Sequence, residues 1–147
     1  MPERERIDLG PARRLEIERD GDRPARRSAG VLVIDDDGSI RGFLAEALID
    51  EGYTVRTADD GKRALEVLGA WRPDLILLDL MMPEMDGWTF RAEQLARAEI
   101  ADIPVIVLSA ARDLESWAAT LAPAGVFSKP FDLDALLAAI DDVASRE

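Results

Sequence analysis

The chain has no histidine and no cysteine among its 147 residues, and no apolar run in it approaches the ~18 residues needed to cross a membrane. Without histidine there is no imidazole for acid–base catalysis or metal ligation, and no phosphohistidine of the chain's own. Without cysteine there is neither a disulfide framework nor a thiolate metal site, so the redox compartment stays open. Glycine-rich phosphate-binding loops of the Gly-x-Gly-x-x-Gly or Walker type are also missing, which disfavours a nucleotide site. Basic charge is scarce: 18 Lys plus Arg stand against 30 Asp plus Glu, a net charge of -12. That balance argues against nonspecific nucleic-acid binding, which needs clustered Lys and Arg. The first 28 residues are arginine-rich and interrupted by acids, unlike a signal peptide. Neither a membrane nor a nucleic-acid partner is expected, and a cytoplasmic location is the default.

What is present suffices for one ordinary domain, since 48% of the residues are hydrophobic. The charge is unevenly spread. Residues 1–28 hold 8 Arg and 7 acids, whereas residues 29–147 hold 10 Lys plus Arg and 23 acids. The shift marks a boundary near Ala29. Before it, Pro2, Pro11 and Pro24 interrupt a segment with only scattered apolar residues, too few to offset the entropy of ordering. Residues 1–28 are therefore expected to be a mobile tail, with Leu15-Glu16-Ile17 as a short edge strand the alternative, and residues 29–147 the domain.

From Val31 the pattern becomes regular. Short apolar runs at 31–34, 53–57, 75–80, 104–108 and 125–128 read as strands. Between and after them lie helical spacings. Ile40, Phe43, Leu44, Ala47 and Leu48 recur along one face, followed by Ala64, Leu65 and Leu68. A third helix over about 88–98 is expected to bury some of Trp88, Phe90 and Leu95. Leu114, Trp117, Ala118 and Leu121 mark a fourth, and Leu133, Leu136, Leu137, Ile140 and Val143 a fifth. Strand runs without polar alternation call for a parallel sheet covered on both faces. Right-handed crossovers then favour a flavodoxin-like α/β fold, with five parallel strands in the order 2-1-3-4-5 and five helices on both faces.

In such sheets ligands bind at the carboxyl ends of the strands. That edge collects Asp35, Asp36 and Asp37 after strand 1, Asp79 after strand 3, Ser109 after strand 4 and Lys129 after strand 5. Strands 1 and 3 are neighbours, so their acids should crowd together. Two unit charges about 4 Å apart repel by ~4 kcal/mol at a surface-like dielectric. Three carboxylates need a cation, and an oxygen-only cluster suits Mg²⁺, which keeps waters and accepts a phosphate oxygen. A carboxylate nucleophile, a divalent ion, a lysine and a hydroxyl are what a phosphoryl group requires, which points to Asp79 as its acceptor. Taken singly, Asp37 is better explained as a helix N-cap than as a ligand, Asp86-Gly87 as a turn and helix start, and Asp59-Asp60 as a capping loop. The tryptophans at 71, 88 and 117 are core or interface anchors first.

Four segments in register, VLVIDDDGSIR, PDLILLDLMMPEMDG, PVIVLSA and FSKPFDLDALL, resemble the receiver domain of two-component response regulators over about residues 30–145. The resemblance implies that Asp79 is the phosphoacceptor, that Asp36, Asp79 and the Met81 backbone carbonyl ligate Mg²⁺, and that Asp35 acts through water. Ser109 would report phosphorylation, Lys129 would contact the phosphoryl group, and the Lys129–Pro130 peptide would be cis. Two departures stand out. Val126 occupies the place where the family carries an aromatic, and Phe127 follows one residue later, on the other face of a strand. The interval from Ser109 to Lys129 is also short, which shortens the fourth helix.

The expected function is a single-domain response regulator in a phosphorelay, since no effector segment follows the last helix. Its donor would be a sensor histidine kinase or a histidine phosphotransfer protein, its output a protein contact, and a homodimer a further option. Its chemistry would be self-directed phosphotransfer and autodephosphorylation, not enzymatic turnover. The alternative is a receiver-like interaction module that does not use phosphorylation. A Mg²⁺-dependent phosphohydrolase is the third reading, disfavoured because no second Asp lies two residues after Asp79.

Overall fold

Continuous apolar runs with no polar alternation are stable only where both faces of the sheet are covered, and the chain supplies that cover. A computed structural model describes residues 29–82, 85–110 and 121–145. The expected tail (1–28), Trp117 and most of the expected fourth helix lie outside the described residues. The elements run β1 (Gly30–Ile34), α1 (Gly38–Asp50), β2 (Thr54–Ala58), α2 (Gly61–Leu68), β3 (Leu75–Asp79), α3 (Gly87–Leu95), β4 (Val105–Ser109), β5 (Gly125–Ser128) and α4 (Leu133–Ala144). Thus four of the five expected helices fall among the described residues. The five strands form one sheet in the order β2-β1-β3-β4-β5, every pair parallel, as the sequence predicts.

Successive strand residues point to opposite faces, so each run feeds two cores. Leu32, Ile34, Ile76, Leu78, Val105 and Val107 pack under α2 and α3 with Ala64, Leu68 and Phe90. Val31, Val33, Leu75, Leu77, Ile106 and Leu108 pack under α1 and α4 with Leu44, Leu48, Leu136 and Ile140. Full burial of such a Leu or Ile is worth about 1.5–3 kcal/mol. Val126 joins the first core and Phe127 the second, so the two neighbours do face opposite ways.

Side-chain caps start the helices. Asp37 accepts from the backbone N–H groups of Ser39 (2.9 Å) and Ile40 (3.2 Å), while Asp60 and Asp86 each accept from the N–H three residues on at 2.8 Å. Asp37 is therefore a cap, as its position suggests. Gly52, at φ 102°, ends α1 in a conformation that favours glycine.

One helix departs from its expected face, and another turns polar side chains inward. Phe43 is 51% exposed, because the core stripe of α1 is centred on Leu44 and Leu48. On α3, Phe90 is buried but Leu95 is 48% exposed, and the polar Arg91 and Gln94 take the inner positions. Their burial is compensated by hydrogen bonds. Arg91 donates to the carbonyls of Leu121 (3.0 Å) and Ala122 (3.1 Å) and to Oε1 of Gln94 (2.7 Å). Gln94 in turn donates from Nε2 to the carbonyls of Ile100 (2.9 Å) and Ile103 (3.0 Å).

Candidate functional site

Where the strands of a parallel sheet end, the backbone leaves the apolar layers and polar side chains become tolerable. At this edge β1 runs out into Asp35, Asp36 and Asp37, β3 ends on Asp79, β4 ends on Ser109, and Lys129 follows β5. One carboxylate oxygen from each of Asp35, Asp36 and Asp79 lies within 4.8 Å of the others. Asp35 and Asp79 are buried, at 1% and 3% exposure, whereas Asp36 faces solvent. The three acids singled out in the sequence therefore converge, and Asp37, occupied as a cap, stands apart from them.

Lys129 completes the cluster from the edge of the sheet. Its Nζ donates to Oδ2 of Asp35 at 2.7 Å and lies 3.7 Å from Oδ2 of Asp79, bridging the two buried acids. The other oxygen of Asp35 accepts from the Asp37 N–H at 2.9 Å, and Oδ1 of Asp79 accepts from the Met81 N–H at 3.2 Å. Ser109 is fully buried at the end of β4, and its carbonyl accepts from the Lys129 N–H at 3.0 Å. The hydroxyl residue and the lysine are thus tied through the backbone. The Lys129–Pro130 peptide is cis, as the resemblance implied.

The loop after β3 is shaped by Gly87. A Cβ at that position would stand 2.6 Å from the Leu80 Cα and 2.7 Å from the Asp79 carbonyl oxygen, so only glycine lets α3 begin this close to the acid. Met81, at 56% exposure, and Ala110, also exposed, leave the site open to solvent.

The electrostatics follow from burial and crowding. Burial, together with the neighbouring charge of Asp35 and to a smaller degree Asp36, raises the Asp79 carboxyl from 3.8 to about 6, against the opposing pull of the Met81 N–H and of Lys129. A cation among these oxygens would relieve that repulsion. The donor set is all oxygen and partly exposed, which fits a hard divalent ion such as Mg²⁺ and offers nothing to soft metals.

Two features escaped the sequence reading. Arg41, six residues after Asp35, donates from Nη1 to the Asp35 carbonyl at 2.8 Å and fastens α1 to the acidic loop. Its signal was its place one helical turn past the N-cap. Beside Lys129 lies a mainly apolar cleft of about 340 Å³ lined by Ser39, Ile40, Phe43, Lys129, Pro130, Phe131 and Leu133. Its signal was Phe43, an aromatic at the margin of the helix stripe.

A family model described as the response regulator receiver domain matches residues 31–141. The response regulator MprA of Mycobacterium ulcerans is 43% identical over 114 residues, which cover 76% of this chain and 48% of that protein. The chain spans about half the length of the curated relatives it matches. Among solved structures, the chemotaxis response regulator CheY4 of Vibrio cholerae is 32% identical with a TM-score of 0.72, covering 79% of this chain and 98% of that one. The response regulator TrrA of Thermotoga maritima, solved in complex with Mg(2+)-BeF, is 30% identical with a TM-score of 0.70, covering 78% of this chain and 98% of that one. Among the described residues no helix is long and apolar enough to cross a membrane.

Proposed function

The chain belongs to the response regulator receiver-domain family, and from that premise we propose that it is a phosphorelay receiver whose Asp79 accepts a phosphoryl group from a histidine kinase or histidine phosphotransfer protein. The observation that carries this reading is the convergence of Asp35, Asp36 and Asp79 within 4.8 Å, with the Lys129 amine 2.7 Å from one buried acid and 3.7 Å from another. An oxygen of ionised Asp79 attacks the phosphorus, the phosphorus–nitrogen bond to the donor imidazole breaks, and the imidazole keeps the electron pair and takes up a proton. Lys129, already between the two acids, is placed to shift its charge from Asp35 toward the new phosphoryl oxygens. Ser109 stands at the end of the adjoining strand as the hydroxyl partner that reads the modified state.

Asp36, Asp79 and the Met81 carbonyl would hold Mg²⁺, with Asp35 acting through water. When bound, the ion supplies compensation for the charge on the transferring phosphoryl oxygens. Nothing in this chemistry acts on an external substrate, so the protein transfers phosphate only onto and off itself.

The apolar cleft beside Lys129, with Phe43 half-exposed at its wall, supports docking of the donor protein within reach of Asp79. We read residues 29–147 as the receiver and residues 1–28 as a segment outside it, because the matched family residues begin at 31 and the charge balance changes near Ala29. The acidic excess on the receiver favours output through contact with a protein over direct contact with nucleic acid.

Incubation with Mg²⁺ and a small acyl phosphate, followed by intact-mass measurement, should show one added phosphoryl group. Asp79→Asn should show none. An unmodified wild-type chain under these conditions would overturn the reading and leave a receiver-like interaction module in its place.

A further inference from the structure

Arg91 and Gln94 are polar, buried at 5% and 0% exposure, and absent from the acidic site. What Arg91 holds is the segment that leads into β5. This strand has four residues, lies at the edge of the sheet and, among the described residues, pairs with β4 alone, so one ladder fixes its position along its own axis. At its far end it delivers Lys129. Ahead of its near end the Arg91 guanidinium takes both the Leu121 and the Ala122 carbonyls, and the Ala124 N–H donates to the Val105 carbonyl at 2.7 Å. Ala122 sits at φ 49°, in the left-handed region that favours glycine, so this backbone is held against its own preference. Gln94 locks the guanidinium from the other side and is itself anchored on the carbonyls of Ile100 and Ile103, just before β4.

We propose that Arg91 is a positioning residue for Lys129: its fork on the Leu121 and Ala122 carbonyls sets where β5 lies along β4, and so where the lysine amine meets the two buried acids. The inference rests on the reading of Asp79 as phosphoacceptor. A planar guanidinium with fixed N–H directions can specify two carbonyls at once, which an apolar side chain at the same place cannot do. The demand for such a clamp comes from the geometry. A one-residue slip of the strand moves the lysine by about 3.3 Å and to the other face, and a displacement of ~1 Å at a reacting group already costs on the order of 100-fold in rate. The acids that would hold the metal follow β1 and end β3, and the Arg91 bonds among the described residues go to Gln94, Leu121 and Ala122 instead.

The test compares wild type, Arg91→Met, Arg91→Lys, Lys129→Ala and the Arg91→Met/Lys129→Ala double variant. Phosphorylation rate with acetyl phosphate and Mg²⁺ affinity are measured at a temperature where melting curves show each variant folded. Arg91→Met should lower the phosphorylation rate about tenfold, with Mg²⁺ affinity within about twofold of wild type, and Arg91→Lys should recover part of the loss. In the Lys129→Ala background Arg91→Met should lower the rate no further, because the group it positions is gone. An unchanged rate in Arg91→Met, or an equal fold loss with and without Lys129, would overturn the proposal. Should Arg91→Met not fold, Arg91→Lys carries the same comparison alone and in the Lys129→Ala background. A wild type that takes no phosphoryl group refutes the phosphoacceptor reading, a result distinct from a phosphorylated wild type with an indifferent Arg91.

Discussion

Asp79 is held uncomfortably as an anion even with the Lys129 amine 3.7 Å away. Its carboxyl is raised to about 6 from 3.8, first by burial and then by Asp35. A carboxyl raised on folding contributes stability that is fully present below about pH 4 and lost as the pH climbs through 6. A shift of this size corresponds to roughly 3 kcal/mol at most. Asp79→Asn should therefore stabilise the metal-free protein by about 1–3 kcal/mol at pH 7.5. The gain should vanish near pH 4, as read by urea denaturation across that range. Adding Mg²⁺ at pH 7.5 should stabilise wild type more than Asp79→Asn. The acids and Lys129 were legible in the sequence because each directly follows an apolar strand run, and the sheet order then makes them meet. Arg91 and Gln94 were not, because nothing local distinguishes a helix-borne arginine in solvent from one whose partners are carbonyls some 30 residues away. Phe43 misled for a related reason: adjacent helical positions share a broad stripe, and only packing decides which of Phe43 and Leu44 lies inside.

At the level of elements, the caps and the β3–α3 connection decide how the acidic edge is built. Asp37→Ala removes two N–H acceptors from α1 and should cost about 1 kcal/mol of stability. Mg²⁺ affinity should stay close to wild type, an outcome that separates a cap from a ligand by calorimetric titration. Gly87→Ala puts a methyl against the Leu80 Cα and the Asp79 carbonyl. A loss of about 1–3 kcal/mol in denaturant titration is expected, together with weaker Mg²⁺ binding, because the clash displaces the acid itself. The strands, their order and the starts of all four described helices could be read from the run of residues, since unbroken apolar runs, caps and glycine stops are local signals. The shorter α3, which ends at Leu95 with Ala96 as its cap, could not. Its end depends on Gln94 turning inward to the carbonyls that precede β4.

Over the whole molecule, acidic charge works against compaction. With a net charge of -12, raising NaCl from ~10 to ~150 mM shortens the Debye length from about 30 to 8 Å and should stabilise the fold by roughly 1 kcal/mol, measured as the urea midpoint. A flat midpoint would mean that the acids are already locally compensated. Asp35 and Lys129 are 94 residues apart along the chain yet touch at 2.7 Å. A polypeptide leaving the ribosome presents the first long before the second has been synthesised, and closing so distant a pair carries the entropy of a long loop. The cluster of acids and amine is therefore assembled only once β5 has been made and paired with β4. A fragment that ends before β5 lacks Lys129, and under the proposed function it should take up a phosphoryl group from acetyl phosphate more slowly than the intact receiver.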